Sequence, residues 1–343
     1  MFRNFINVHD VMNVFTKGMK SLSAVAAKLS RSKENRVKDA WANTDCPPNN
    51  WWDVPDVNER WNRLISGKKN VEYYEYIAKK YLRNRKNLIA LSLGCGTGHR
   101  ELKWAGLKKF KTIDAVDISK PRIDMAIEEA REKGYDRIIA YKVADVYKME
   151  MAELHYDAIF AEGSLHHFSP LNVLLQRINT SLKPGGYFII NEFVGPTRFQ
   201  WTDRQIEVIN GILSIIPAKY KTLWKSEKTK SNIIRPSKLR MILEDPSEAV
   251  ESSNIMALIN QIFDVVEVRP YGGTILHMLL SGIGHNFLSS EKEAQRWLSM
   301  LFEVEDLLML EKELSSDFVV AVCRKREKRQ VINRLDRDSE KNH

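Results

Sequence analysis

Apolar and polar positions alternate in blocks along the middle of the chain, and the blocks predict strands that alternate with helices. Short apolar runs, typical of buried strands, stand at residues 88–93, 113–117, 141–145, 156–161 and 187–192. Helix-compatible segments separate them, including residues 100–107 and 121–133. This alternation predicts a parallel sheet with helices on both faces, and such sheets bind ligands at the carboxyl ends of their strands.

The first apolar run ends in a cluster of three glycines, Gly94, Gly96 and Gly98, and a helix is predicted to follow. Glycines at this point let the backbone turn tightly and approach a ligand, beside the N-terminus of a helix. The spacing is Gly-x-Gly-x-Gly, whereas a dinucleotide-binding loop would place its third glycine at His99. The loop therefore predicts a nucleotide-like cofactor and disfavours a dinucleotide.

Two carboxylates end the next two predicted strands. Asp117 ends the run at 113–117, at the distance from the glycines where an acidic side chain can accept hydrogen bonds from ribose hydroxyls. Asp145 ends the run at 141–145, where its carboxylate could accept a hydrogen bond from an exocyclic adenine amine. Both positions indicate an adenosine-containing ligand.

With these features the chain resembles the class I S-adenosylmethionine (SAM)-dependent methyltransferases. The resemblance covers residues 88–191 and also rests on Leu-His-His at 165–167 and Leu-Lys-Pro-Gly-Gly-Tyr-Phe-Ile-Ile at 182–190. It implies SAM as the cofactor and an α/β fold, a Rossmann-like doubly wound sheet of seven mostly parallel strands. Residues 263–270 and 317–323 would then form the antiparallel pair at the sheet edge.

The resemblance also implies which residues bind the cofactor. They are Gly94, Cys95, Gly96, Gly98, Asp117, Ile118, Asp145, Val146 and Glu162. Because the segment before the first strand commonly folds over the cofactor in this family, Trp61, Asn62 and Arg63 are expected near its methionine end. The alternative is that Trp51, Trp52 and Trp61 are ordinary core aromatics.

The chain is predicted to have five parts. They are an N-terminal helical extension and cofactor lid (1–84), the SAM-binding core (85–195), a helical cap insertion (196–262), the last two strands with a helical insertion (263–325) and a charged tail (326–343). One insertion spans residues 196–256, between the fifth and sixth strands, and the other spans residues 271–316, where the family usually has a short connection. Because both leave the face where a substrate would enter, we expect them to form a cap.

Methyl transfer from a sulfonium is an in-line displacement, so the protein mainly aligns donor and acceptor and excludes water. Where an acceptor must lose a proton, His166 and His167 stand at the end of the fourth strand, and we favour His166 as the base. The alternative is that one histidine caps a helix or packs internally. Glu192 would orient a histidine or bind substrate.

The loop after the fifth predicted strand is rich in polar and aromatic residues. It supplies Arg198, Gln200 and Trp201, which we expect in the acceptor pocket. The alternative for Arg198 is a structural ion pair with Glu192.

Composition narrows the class of protein. The 343 residues are 43% hydrophobic, and no apolar run is long enough to cross a bilayer, so a cytoplasmic globular protein is expected. Three cysteines without paired spacing support neither a disulfide framework nor a zinc site, and we expect no metal. Residues 1–36 form a basic amphipathic pattern, which leaves open docking at a membrane periphery, packing on the protein itself, or a homodimer contact.

The net charge of +9 raises the question of nucleic acid, but the segment after the fourth strand disfavours it. Residues 162–168 contain neither the Asn/Asp-Pro-Pro-aromatic pattern of enzymes that methylate base amines nor a cysteine nucleophile. We therefore expect O- or N-methylation of a small-molecule, saccharide or lipid-linked acceptor. The alternative is a SAM-binding scaffold or regulatory protein without catalytic activity.

Overall fold

The computed structural model describes residues 32–41 and 47–326. Most of the basic amphipathic segment at 1–36 and all but the first residue of the charged tail lie outside these residues. The helices are α1 Lys33–Ala40, α2 Pro55–Ser66, α3 Tyr73–Tyr81, α4 His99–Gly106, α5 Lys120–Glu132, α6 Leu171–Ser181, α7 Asp203–Ile215, α8 Lys238–Glu244, α9 Ile255–Ile262, α10 Leu276–Leu280 and α11 Lys292–Leu310.

Seven strands form one sheet in the order β3-β2-β1-β4-β5-β7-β6. The strands are β1 Leu88–Leu93, β2 Phe110–Asp117, β3 Ile139–Val143, β4 Tyr156–Glu162, β5 Leu182–Phe193, β6 Phe263–Gly272 and β7 Phe318–Lys325. Strands β1 to β5 pair in parallel, and β7 runs antiparallel between β5 and β6. The expected doubly wound sheet with an antiparallel edge pair is confirmed.

Successive side chains of each central strand point to opposite faces of the sheet, as strand geometry requires. On β1, Leu88 and Ala90 join the apolar core on one face, while Leu91 and Leu93 join the core on the other. Helices cover both cores, so the interior strands are buried nearly throughout. The strand order reverses between β1 and β4, and a crevice for a ligand is therefore expected outside their carboxyl ends.

The two insertions are helical and pack beside that edge of the sheet. The first contains α7 and α8, and the second contains α10 and α11. A buried ion pair ties the second insertion to α2, because Arg60 Nη1 lies 2.9 Å from Glu305 Oε2. The other carboxylate oxygen of Glu305 accepts hydrogen bonds from the amides of Ile275 and Leu276 at the start of α10. One buried carboxylate thus fixes three elements.

Candidate cofactor and acceptor site

The glycine loop joins β1 to α4, and its glycines have separate tasks. All three have positive φ, between 56° and 81°, a region that residues with a Cβ rarely adopt. A Cβ on Gly94 would lie 2.5 Å from the Cβ of Ser164, and one on Gly98 would lie 2.7 Å from Cζ of Tyr141. A Cβ on Gly96 would meet only an Arg122 nitrogen at 3.7 Å. Gly94 and Gly98 therefore allow internal packing, whereas Gly96 keeps the loop open.

Asp117 connects this loop to the end of β2. Its Oδ2 accepts a hydrogen bond from the Gly96 amide at 2.9 Å, and its Oδ1 accepts one from the Ser119 amide at 2.8 Å. Asp145 lies two residues beyond β3, and its Oδ1 accepts a hydrogen bond from the Tyr147 amide at 2.9 Å. Each bonded carboxylate oxygen keeps further acceptor capacity for ribose hydroxyls or an adenine amine.

A cavity of about 640 Å³ lies outside the carboxyl ends of β1, β2 and β4. Nine of the expected site residues line it, namely Gly94, Cys95, Gly96, Asp117, Ile118, Asp145, Val146, Glu162 and His167. Loop glycines, an acid after each of two neighbouring strands and the apolar side chains of Ile118 and Val146 fit the amino acid, ribose and adenine parts of SAM.

Glu162 closes β4 at the inner wall of this cavity. Its side chain is buried, and its carboxylate accepts a hydrogen bond from Trp104 Nε1 at 3.1 Å. Burial raises the pKa of the Glu162 carboxyl, and the positive charge of Arg100 opposes that effect. Arg100, which the sequence did not single out, also lines the cavity and offers a cation near the glycine loop.

Trp41, the residue directly after α1, lines the cavity, and the sequence did not indicate it. Arg122 Nε donates a hydrogen bond to the Trp41 carbonyl at 2.9 Å, and the guanidinium lies 4.7 Å from the centroid of the indole. The indole contacts His167 edge to face, with ring centroids 4.6 Å apart. Among the described residues of the N-terminal extension, those that line the cavity are Val37 of α1 and Trp41 directly after it.

Trp61 and Arg63, expected near the methionine end of the cofactor, do not line the cavity. The indole of Trp61 packs against Trp51, with ring centroids 4.5 Å apart, and against Tyr271 at 5.5 Å. Arg63 lies on the outer face of α2, 3.5 Å from Glu59. Aromatic packing between α2 and the end of β6 turns this helix toward the core. The alternative that the tryptophans are core aromatics therefore holds for Trp51 and Trp61, whereas Trp52 is exposed.

His166 lies in a short 3₁₀ helix, Leu165–His167, directly after β4. Its Nδ1 is hydrogen-bonded to Glu192 Oε1, and its Nε2 lies 3.5 Å from Glu248 Oε1. Burial alone would lower the pKa of the His166 imidazole, but the carboxylates of Glu192 and Glu248 raise it overall. Burial also raises the pKa of Glu248 to about 7.

Glu192 is 1% exposed and holds the loop that carries both histidines. Its Oε2 accepts hydrogen bonds from the amides of Ser164 and Leu165, at 2.9 and 2.6 Å. Its Oε1 bonds His166 and the Phe193 amide. Since both oxygens are engaged by the protein, the geometry favours orientation of a histidine over substrate binding.

His167 differs sharply from its neighbour. Burial, followed by the charge of His166, lowers the pKa of the His167 imidazole well below its ordinary value, which favours the neutral ring. Its Nδ1 lies 3.3 Å from Ser247 Oγ, and both side chains line the cavity. Ser247 and Glu248 belong to the first insertion, and the Val250 amide donates a hydrogen bond to the His166 carbonyl at 3.0 Å. The insertion thus completes the histidine site.

The three residues expected in the acceptor pocket all lie inside the cap and do not line the cavity. Arg198 donates hydrogen bonds to the carbonyls of Pro246 and Glu248, at 2.7 and 3.0 Å, so it braces the turn that carries Ser247 and Glu248. Its partners are backbone carbonyls, and the alternative ion pair with Glu192 is not formed.

Gln200 and Trp201 also make interior contacts of the cap. Gln200 Nε2 donates hydrogen bonds to the carbonyls of Arg198 and Pro236, both at 2.9 Å. Trp201 is buried and stacks on Phe199, with ring centroids 5.0 Å apart. The polar and aromatic richness of this loop therefore reflects packing of the cap against the end of β5.

None of the helices in residues 32–41 and 47–326 is both long and apolar enough to cross a membrane.

Comparison with known proteins agrees with this geometry. Residues 91–190 match a family model described as a methyltransferase domain. Methyltransferase GfsG of Streptomyces halstedii is 24% identical over 129 residues, which are 38% of this chain and 45% of the relative. The 27-O-demethylrifamycin SV methyltransferase of Amycolatopsis mediterranei is 22% identical over 130 residues, 37% of this chain and 47% of the relative. The chain thus spans about half the length of these curated relatives.

A solved structure of geranyl diphosphate methyltransferase, in complex with GPP and sinefungin, superposes with a TM-score of 0.50 at 13% identity. The match covers 86% of this chain and 100% of that one, and it shows the shared fold. The glycine loop, the acids after β2 and β3 and the matched segment agree on one family. The chain carries a class I SAM-dependent methyltransferase domain, and SAM is the cofactor of that domain.

Proposed function

We propose that this protein transfers the methyl group of SAM to a hydroxyl or amine of a small-molecule, saccharide or lipid-linked acceptor. The observation that carries the proposal is the placement of His167, beside His166, in the wall of the cavity that fits SAM. SAM would supply an electrophilic methyl group on a sulfonium. The acceptor atom bonds to the methyl carbon while the carbon–sulfur bond breaks, and its electron pair stays on the sulfur.

The protein's own residues would align the reactants and take the proton that the acceptor loses. Trp41 and the 245–250 turn of the cap close the cavity near the histidines, which excludes water from the reacting groups. We assign the proton to the histidine pair, with Nε2 of His166 as its first site when that ring is neutral, because Glu192 occupies Nδ1.

The acceptor class follows from the cap and from relatives whose names state a substrate. The names 27-O-demethylrifamycin SV methyltransferase and squalene methyltransferase, the latter from Botryococcus braunii, refer to small-molecule and lipid acceptors. In this chain the first insertion contributes Ser247 to the wall of the cavity. Nucleic acid is disfavoured because residues 162–168 lack both patterns of base methylation.

The test uses SAM with a labelled methyl group and a panel of hydroxylated macrolides, sugars and isoprenoids. We expect labelled product and stoichiometric S-adenosylhomocysteine with at least one acceptor class. The His166→Ala variant should lose about 10²- to 10⁴-fold in turnover with nearly unchanged SAM affinity. His155→Ala serves as the matched control, because His155 is an exposed histidine on the loop before β4.

SAM binding without S-adenosylhomocysteine release across the whole panel would instead favour the non-catalytic scaffold. Full activity of His166→Ala would remove this residue from proton transfer and leave His167.

A further inference from the structure

We propose that His166, His167 and Glu248 bind one divalent transition-metal ion at the wall of the cofactor cavity. Each side chain offers one ligand atom, and these atoms lie within 4.8 Å of one another. The sequence led us to expect no metal, since its cysteines have no paired spacing. Glu248 lies 81 residues beyond His167 in the chain. The fold of the first insertion brings the third ligand to the histidine pair.

The distances suit a tetrahedral site. Two ligand atoms that are each about 2.0–2.1 Å from a zinc ion, at a tetrahedral angle, are roughly 3.4 Å apart. Nε2 of His166 and Oε1 of Glu248 are 3.5 Å apart, so this pair already has the required spacing. The ligand atom of His167 lies within 4.8 Å of these two atoms, so the three side chains would have to move closer together to enclose an ion.

The surroundings of the cluster provide the outer hydrogen bond that metal-binding histidines generally have. The buried carboxylate of Glu192 is bonded to Nδ1 of His166, which fixes the ring and leaves Nε2 for an ion. Glu192 is itself held by the amides of Ser164 and Leu165. This carboxylate–histidine arrangement is independent of Glu248, and it orients the ring toward the position that the ion would occupy.

The ligand set indicates the kind of ion and where it would act. Two imidazoles and one carboxylate suit Zn²⁺ or Co²⁺ and leave the fourth position of a tetrahedral ion open. His167 and Ser247 line the cavity, so the open position would face the space in which donor and acceptor meet.

The role of the ion, though not its binding, rests on the proposed function. An acceptor hydroxyl that binds at the open position has a lowered pKa. Nε2 of His166 cannot hold both an ion and a proton. In the metal-loaded protein, the ion would therefore replace this histidine in activating the acceptor.

The test is a Co²⁺ titration of the full chain after chelator treatment, followed by visible absorption, which reports low-coordinate Co²⁺. We expect one equivalent to bind. Glu248→Gln and His167→Ala should weaken binding at least about a hundredfold, and Glu192→Gln about 10- to 100-fold. His155→Ala should leave the titration unchanged. Glu248→Gln nearly preserves side-chain shape, and binding of S-adenosylhomocysteine by each variant checks that it is folded.

Absence of a one-equivalent Co²⁺ complex in the folded protein would overturn the proposal. So would a complex that persists in both Glu248→Gln and His167→Ala, because the ion would then be held elsewhere. The two proposals fail separately: a Co²⁺ complex without methyl transfer to any acceptor contradicts the proposed function alone, whereas methyl transfer without a Co²⁺ complex contradicts the metal site alone.

Discussion

Alanine substitutions in the glycine loop should separate folding from cofactor binding. Gly98→Ala would place its methyl group 2.7 Å from Cζ of Tyr141 and 2.8 Å from Cβ of Ala126, in a residue with φ of +81°. The left-handed backbone costs about 1–2 kcal/mol for a residue with a Cβ, and overpacking adds about 1–3 kcal/mol. We therefore expect Gly98→Ala to lower the free energy of unfolding by about 2–5 kcal/mol.

Gly96→Ala should destabilise the fold less than Gly98→Ala but weaken cofactor binding. Its added Cβ meets only Arg122 Nη1, at 3.7 Å, so the unfolding free energy should fall by the backbone cost alone, about 1–2 kcal/mol. The methyl group would, however, occupy space at the cavity wall, where the backbone must approach the cofactor. A steric loss of about 1.4 kcal/mol or more corresponds to at least a tenfold weaker SAM affinity.

The matched control for both variants is Gly134→Ala. Gly134 has φ of +73° with nothing within 4 Å of an added Cβ, so it isolates the backbone cost. Urea unfolding of the cofactor-free variants and calorimetric titration with SAM provide the two measurements. The steric argument fails if Gly98→Ala is as mild as Gly134→Ala. The argument for close approach fails if Gly96→Ala binds SAM as tightly as the parent protein.

Two further substitutions test the carboxylates. Asp117→Ala should weaken SAM binding about 10- to 100-fold, because it removes roughly 1.5–3 kcal/mol of hydrogen bonding to the ribose. If calorimetry shows unchanged SAM affinity for the folded variant, Asp117 does not bind the cofactor. Burial raises the pKa of Asp317 to about 8, so its carboxyl keeps a proton in the folded state that the unfolded chain releases near pH 4. The free energy of unfolding should therefore fall as pH rises from about 4 to about 8. Asp317→Asn stays neutral and should flatten this decline in urea unfolding between about pH 5 and pH 8; an equally steep decline would show that another group causes it.

The sequence could indicate most of the residues that line the cavity because its signals are local. The glycine cluster directly follows a predicted strand, Asp117 and Asp145 each end one, and parallel strands bring their carboxyl ends to one edge. A residue at the end of such a strand is therefore predicted to lie at this edge of the sheet. The nine cavity-lining residues that were expected all come from such positions or from the loops immediately after them.

The sequence could not indicate Trp41, because its place depends on long-range contacts. Trp41 reaches the cavity through hydrogen bonds from Ser119 and Arg122, whose amino-acid types are common on any helix. Trp61, by contrast, carried the expected signal of an aromatic residue before the first strand. Packing against Trp51 and Tyr271 determined its place, and no periodic pattern distinguishes an aromatic that covers a ligand from one that fills a core.

Arg198, Gln200 and Trp201, which were expected in the acceptor pocket, do not line the cavity, and the reason is related. Arg198 was expected to touch the acceptor, yet it braces the turn that brings Ser247 and Glu248 to the histidines. A loop that follows a catalytic strand can act on the site through a second segment, about 50 residues further along the chain. Most of the cavity wall thus comes from strand ends that recur throughout the fold, whereas the part that carries Ser247 depends on how the first insertion folds back over them. Acceptor choice should therefore respond to changes in the 245–250 turn more strongly than cofactor affinity does.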